Sequence, residues 1–328
     1  MDLNIAWFVL IGVLLVGYSI LDGFDLGAGI LQLFTKNDEE KKILLKSIAP
    51  FWDGNEVWLL TGGGALFAAF PHVYATVFSG FYLALMLLLV ALIFRALSIE
   101  FRNQVESQGW KNFWDKAFSI SSLVTTLLLG VALGNIFTGI PLDNQMNYTG
   151  SFFTLLRPLP LLIGLAGVAM FCVQGAAYLL LKTEGSFYQN VQSWAKKSWA
   201  LFIALIVLTT LTTAVFYPSK VGAVFSSVFG WLAVLILVYG VVTLPIFLKK
   251  EYNFKVFISS SLVIVSMFLI VGVVLFPNMV PALDPLLSLT IYNASSSQLT
   301  LKVTLIIALL GMPFVVFYTT YVYRVFRK

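Results

Sequence analysis

The sequence predicts an all-α integral membrane protein, and three observations predict it. Hydrophobic residues make up 59% of the 328 residues and charged residues 11%, against about half and about a quarter in a soluble domain. The mean hydropathy is +0.94, and apolar runs of bilayer length, roughly 20 residues, recur from one end to the other. Finally, the cationic residues sit between those runs in a one-sided pattern.

About nine spans are expected, near residues 6–33, 47–70, 73–98, 114–137, 158–181, 198–217, 225–248, 256–276 and 301–323. The first follows Met1-Asp-Leu-Asn4, which lacks the positive segment of a cleaved leader, so a retained helix is expected. The second and third flank Pro71 and the single histidine, His72, which reads as a polar residue at the outer interface. Gly23 and Gly27 in the first run, Gly62, Gly63 and Gly64 in the second, Gly130 and Gly134 in the fourth, and Gly164 and Gly167 in the fifth predict close helix packing. The sixth to ninth runs carry little but apolar residues. Trp7, Trp52, Trp58, Trp110, Trp114, Trp194 and Trp199 fall near run ends, as interfacial aromatics do.

Orientation follows from Lys and Arg. Of the 20 such residues, 17 fall on one side: Lys36, Lys41, Lys42, Lys46, Arg95, Arg102, Lys111, Lys116, Lys182, Lys196, Lys197, Lys249, Lys250, Lys255, Arg324, Arg327 and Lys328. Arg157, Lys220 and Lys302 fall on the other. The positive side faces the cytoplasm, so the N-terminus is expected outside and the C-terminus inside, which an odd number of spans satisfies. The longest connections are expected at about 139–157 and 277–300 outside, and 99–113 and 182–197 inside. The net charge of +5 therefore describes topology, and a nucleic-acid partner is not expected. A lone cysteine, Cys172, excludes an internal disulfide and a paired-cysteine metal site.

Four acids interrupt the first two runs: Asp22 and Asp25, and Asp53 and Glu56. Each pair is three residues apart and shares a helix face, expected to look into the bundle. With ~1.5 Å of rise per residue from Lys36 and Lys46, Asp53 lies ~10 Å from its inner anchor, Glu56 ~15 Å, Asp25 ~16 Å and Asp22 ~21 Å. Carboxylates are costly in hydrocarbon and mark proton relays, ion sites or buried pairs. Such a ladder suits protons moving inward from the cytoplasm. Two alternatives stand beside it: a cation bound with Asn55 as an extra oxygen ligand, and acids silenced by pairing with Arg95 or Lys46. Trp52 and Trp58 are candidate walls of the site. A stand-alone proton- or cation-coupled secondary transporter would use the same acids.

The motifs carrying these acids resemble a known family. Gly17-Tyr-Ser-Ile-Leu-Asp-Gly-Phe-Asp-Leu-Gly27, Ile48-Ala-Pro-Phe-Trp-Asp-Gly-Asn-Glu-Val-Trp-Leu59 and Gly63-Gly-Ala-Leu-Phe-Ala-Ala-Phe-Pro71 are similar to subunit II of the cytochrome bd quinol oxidases. Further matches are Phe94-Arg95, Glu100-Phe-Arg102, Trp110 to Asp115, Gly130 to Asn135, Gln174-Gly-Ala176 and Thr290 to Ser296. The resemblance implies two four-helix groups plus a peripheral helix, and a heterodimer with a haem-bearing subunit I in a bacterial or archaeal cytoplasmic membrane. It implies that quinol is the substrate of the complex, that haems b and b or d lie in the partner, and that this chain binds no cofactor or metal itself. Some members hold a structural quinone or lipid, and small accessory subunits can attach. By motif, Asp53 would take up cytoplasmic protons and Asp22, ahead of Asp25, would pass them on, with Glu56 and Asp25 in support.

Overall fold

The computed structural model describes residues 2–326; Arg327 and Lys328, counted above on the positive side, lie outside the described residues. The chain runs through α1 (Leu3–Leu31), α2 (Asp38–Ile48), α3 (Trp52–Ala69), α4 (Pro71–Gly80), α5 (Tyr82–Phe101), α6 (Gln108–Thr138), α7 (Pro158–Leu179), α8 (Gly185–Phe216), α9 (Pro218–Ser226), α10 (Val228–Lys249), α11 (Asn253–Leu275), β1 (Asn278–Val280), β2 (Leu289–Thr290) and α12 (Gln298–Val325). Among the described residues, eight helices are long and apolar enough to cross a membrane: α1, α5, α6, α7, α8, α10, α11 and α12. The second expected run falls short of that standard because Asp53, Asn55 and Glu56 all lie in the first turns of the 18-residue α3.

Local signals set the helix ends. Asp2 caps α1 by accepting from the backbone of Asn4 (2.9 Å) and Ile5 (3.4 Å). Proline opens α4, α7 and α9, where its missing N–H removes no helical bond. Gly139 ends α6 with φ +91°, a backbone geometry a side chain would resist.

Several boundaries differ from those expected. The run near 47–70 is broken: α2 stops at Ile48, Ala49 to Phe51 form a turn, and α3 starts afresh at Trp52. Pro50 has no backbone N–H to continue a helix, and α2 is a separate amphipathic segment. The run near 73–98 is two helices meeting at Phe81. A loop side chain docks there: a Cβ on Gly80 would lie 2.6 Å from Tyr148 Cβ. The run near 198–217 begins thirteen residues earlier, because Gly185 to Lys197 are helical. At 32 residues α8 is ~48 Å long, beyond the ~30 Å of hydrocarbon; polar residues do not stop a helix at the membrane surface.

α6 and α7 form the most extensive helix pair, and the long helices pack as one connected bundle. α1 lies against α3, α6 and α7, and α5 against α6; α7 also packs on α8 and α11, and α10 on α11. α12 touches only α3 and α1 to any extent, leaving Phe314, Phe317 and Tyr318 exposed. The connections at 139–157 and 277–300 are more ordered than an all-helical reading expects. β1 and β2 pair antiparallel, and Ile140 exchanges backbone bonds of 3.0 Å with Pro281 and Leu283. With Trp7, Phe70 and Ile291 they enclose an apolar cap.

The glycine expectation divides. A Cβ on Gly27 would stand 1.8 Å from the Phe171 carbonyl oxygen, and one on Gly175 2.5 Å from the Ala28 nitrogen, so α1 and α7 meet backbone to backbone. Gly23, Gly130, Gly134 and Gly164 are also tight contacts, whereas Gly63, Gly64 and Gly167 have open space. Gly27→Ala should therefore lower the thermal midpoint of the purified protein, by roughly 1–3 kcal/mol of stability as for overpacking. Gly167→Ala should leave it unchanged or raise it, and thermal-shift measurement on the two variants checks this.

Candidate functional site

Asp22 and Asp25 lie one turn apart on α1, on the side away from the Gly27 contact, and both are fully buried with Arg95 of α5. The guanidinium of Arg95 grips Asp22 at both oxygens, one bond from Nη1 to Oδ2 at 2.8 Å and a second, very short one from Nη2 to Oδ1. Its Nη2 is also 4.0 Å from Asp25 Oδ2. Such a forked, charge-assisted pair is among the strong ways to hold a buried arginine.

Asn55 of α3 completes the cluster. It is buried, and its Nδ2 donates to Asp25 Oδ2 at 2.7 Å and to the Leu21 carbonyl at 3.3 Å. Its Oδ1 accepts from the hydroxyl of Tyr323, near the end of α12, at 3.0 Å. The depths read for Asp53 and Glu56 from Lys46 assumed one continuous helix, which the turn at residues 49–51 interrupts. Three buried polar atoms here have no hydrogen-bond partner among the described residues: Tyr18 Oη, Asp25 Oδ1 and Arg95 Nε.

The other two acids are placed differently. Asp53 is exposed and Glu56 half-buried, so α3 turns its acids away from the interior that was expected for them. One turn of α3 thus presents Asp53 outward and Asn55 inward. Trp58 packs over Gly17, and Trp52 is half-buried; neither provides the wall nearest Asp25. That wall is aromatic and was not foreseen: Phe24 stacks on Tyr178 (3.9 Å between ring centroids) and Phe51 on Tyr323 (4.3 Å). The hydroxyl of Tyr178 donates to the Ser47 carbonyl at 2.8 Å, tying α7 to the end of α2.

A second ionic cluster, missed in the sequence, fixes the end of the bundle where α2 lies. Asp115 of α6 accepts from Arg102 Nε at 2.6 Å, Lys41 Nζ at 3.1 Å and Gln32 Nε2 at 3.1 Å. Arg102 also holds Asp38, at the start of α2, which Lys42 reaches from one turn on at 3.0 Å. The cluster joins α1, α2, α5 and α6 and so aims the turn from which α3 departs. The Lys42 ammonium, with Arg102 beside it, keeps the Asp38 carboxyl below the usual carboxylate range. Arg102 and Asp115 each stand in a motif quoted above, but nothing in their spacing announces that they pair.

Among the described residues, no group of three or more His, Cys, Asp or Glu side chains is placed to hold a metal ion. His72 is exposed in the first turn of α4, with no second histidine in the chain to complete an axial pair. A bis-histidine haem site therefore cannot be built from this chain's side chains alone.

A family profile, cytochrome bd terminal oxidase subunit II, matches residues 3–326. The chain belongs to this family. The cytochrome bd-I ubiquinol oxidase subunit 2 of Escherichia coli strain K12 is 37% identical, covering 98% of this chain and 93% of that protein. The cytochrome bd ubiquinol oxidase subunit 2 of Bacillus subtilis is 35% identical, covering 100% and 96%. The bd oxidase structure from Geobacillus thermodenitrificans contains a chain of the same fold, with a TM-score of 0.83 at 18% identity over 99% of both chains. This bd subunit II is thus part of a membrane oxidoreductase of the respiratory chain, and membership replaces the stand-alone transporter alternative.

Two outcomes follow for the ionic clusters. Arg95→Met leaves two buried carboxylates uncompensated and should destabilise the subunit by roughly 3–5 kcal/mol, while adding Asp22→Asn should recover part of that loss; thermal midpoints of the single and double variants measure it. For Asp38, a carboxyl held low in the folded state stabilises the fold above its unfolded value of about 3.9. That contribution is lost as pH falls through the lower folded value. The thermal midpoint of wild type should exceed that of Asp38→Asn at neutral pH, and the gap should close on acidification.

Proposed function

We propose that this chain is the haem-free subunit II of a bd-type quinol oxidase, that it supports a haem-bearing subunit I, and that it conducts cytoplasmic protons toward the oxygen-reducing haem. The observation that carries this reading is the single turn of α3 in which Asp53 is exposed while Asn55 is bonded to the buried Asp25. The exposed Asp53 is then two residues along α3 from the amide that bonds the buried Asp25.

In this reading the partner covers the exposed stripe of α3 formed by Asp53, Val57, Leu60, Gly64 and Phe67, which the open space around Gly63 and Gly64 would let approach closely. Asp53 takes up protons at that boundary, and Glu56, one turn deeper and half-buried, supports transfer. Asp25 rather than Asp22 holds the proton in transit. Protonating Asp22 would break both of its bonds to Arg95, whereas Asp25 has one oxygen without a partner. Asp22 and Arg95 then serve as a fixed electrostatic frame. Quinol protons leave on the outer face and protons for water formation come from inside, so charge separates across the membrane.

The haems, b with b or d, belong to subunit I in this proposal, which accords with the poor fit of His72. α3 is the ninth span, with the N-terminus outside and the C-terminus inside, in the cytoplasmic membrane of a bacterium. Small accessory subunits and a structural quinone or lipid complete the assembly.

Asp53→Asn in the whole complex should slow oxygen consumption severalfold with haem content unchanged. Oxygen-electrode rates normalised to the haem spectrum test this, and full turnover with normal charge separation in the variant would make Asp53 structural.

A further inference from the structure

The hydrogen bonds around Asp25 are all on one of its oxygens. Asn55 Nδ2 donates to Oδ2 at 2.7 Å, and the nearest guanidinium nitrogen, Arg95 Nη2, stands 4.0 Å from the same oxygen. Oδ1 is buried with no partner among the described residues. The orientation of the Asn55 amide is set by chemistry. The Leu21 carbonyl can only accept, so the amide nitrogen must face it. The amide oxygen, facing the other way, is taken by the Tyr323 hydroxyl. Flipping the amide would set two carbonyl oxygens against each other and leave the phenol opposite an N–H.

We propose that Asn55 and Tyr323 are positioning residues that decide which oxygen of Asp25 carries a proton: Oδ2 is kept as a permanent acceptor, and the proton arrives on and leaves from Oδ1. In the ionised state Asn55 donates to Oδ2; when Asp25 takes up a proton, an O–H bond forms at Oδ1 and the Cγ–Oδ2 bond becomes the carbonyl, still accepting from Asn55. On transfer the Oδ1–H bond breaks and the proton passes onward, with no rearrangement of Asn55. A carboxyl whose accepting oxygen is anchored in both states needs no reorganisation at each passage.

The other charged and titratable groups facing Asp25 are Asp22 on its own helix, Arg95 on α5, Glu56 on α3, Tyr178 on α7 and Tyr323 on α12. Of these, the Tyr323 hydroxyl alone is hydrogen-bonded to the residue that bonds Asp25. It is held there twice over, by its stack on Phe51 and by the bond from Lys182 Nζ to the Phe326 carbonyl at 2.8 Å three residues on. The last helix, barely attached along most of its length, is fastened where its tyrosine meets the site.

This inference rests on the relay reading above, and the experiment separates the two. Redox-induced infrared difference spectra of the whole oxidase complex, recorded in light and heavy water, report protonated carboxyl groups by their C=O stretch. The Asp25→Asn variant identifies the band belonging to Asp25. A C=O that accepts a hydrogen bond absorbs at lower wavenumber, so Asn55→Ala should move the band up. Tyr323→Phe, which keeps the ring on Phe51 and removes only the hydroxyl, should move it up by less, because Asn55 loses a cooperative partner. A band that stays in place or moves down in Asn55→Ala overturns the assignment of the oxygens while leaving Asp25 as a relay. A wild-type spectrum without any band lost in Asp25→Asn overturns the relay reading and this inference together.

Discussion

Burying one arginine inside the helix bundle is the constraint on which the rest of this structure depends. A guanidinium at that depth is tolerated only with a matched anion, and Arg95 finds it in Asp22. The pair locks α5 to α1, and α1 in turn is pressed backbone to backbone against α7 through Gly27 and Gly175. The central helix therefore has its acid face fixed by charge and its small-residue face fixed by contact. Asp25, one turn from the pair, is then presented at a constant distance to α3, where Asn55 receives it.

The two ends of the molecule serve this centre. At one end the cluster of Asp115, Arg102, Lys41 and Asp38 pins α2 against the bundle, so that α3 starts from a held turn. At the opposite end Asn4 donates to Ser295 at 2.9 Å and Trp7 to the Leu301 carbonyl at 2.9 Å, which anchors the start of α12 to the start of α1. α12 is thus fixed at its start and again at Tyr323, with most of the helix between left exposed.

The sequence made the acids visible because charge in an apolar run is rare enough to stand out, and it named Arg95 as the residue able to neutralise them. The membrane class and the family were legible for the same reason, since long apolar runs and two unusual acidic motifs leave few alternatives. Orientation of the second acid pair was not legible: Asp53 and Glu56 share a helix face, but which way that face turns depends on the break at Ala49 to Phe51. Nor was the order of Asp22 and Asp25, since only the folded chain shows which of them Arg95 grips. Tyr323 lies 268 residues from Asn55 among other aromatic residues of α12, and no periodicity distinguishes it. The Arg102 and Asp115 pair was hidden in another way, as two ordinary charges at span ends where charges are expected.

The account stands on Asp25 holding protons drawn from the cytoplasm. The most direct measurement is proton uptake by the complex in vesicles, followed with a pH dye on the cytoplasmic side during a single reaction of the reduced enzyme with oxygen, comparing wild type with Asp25→Asn. The account predicts that oxygen still binds and the haem spectrum is unchanged while proton uptake in the variant slows severalfold. Uptake at the wild-type rate in Asp25→Asn would contradict it.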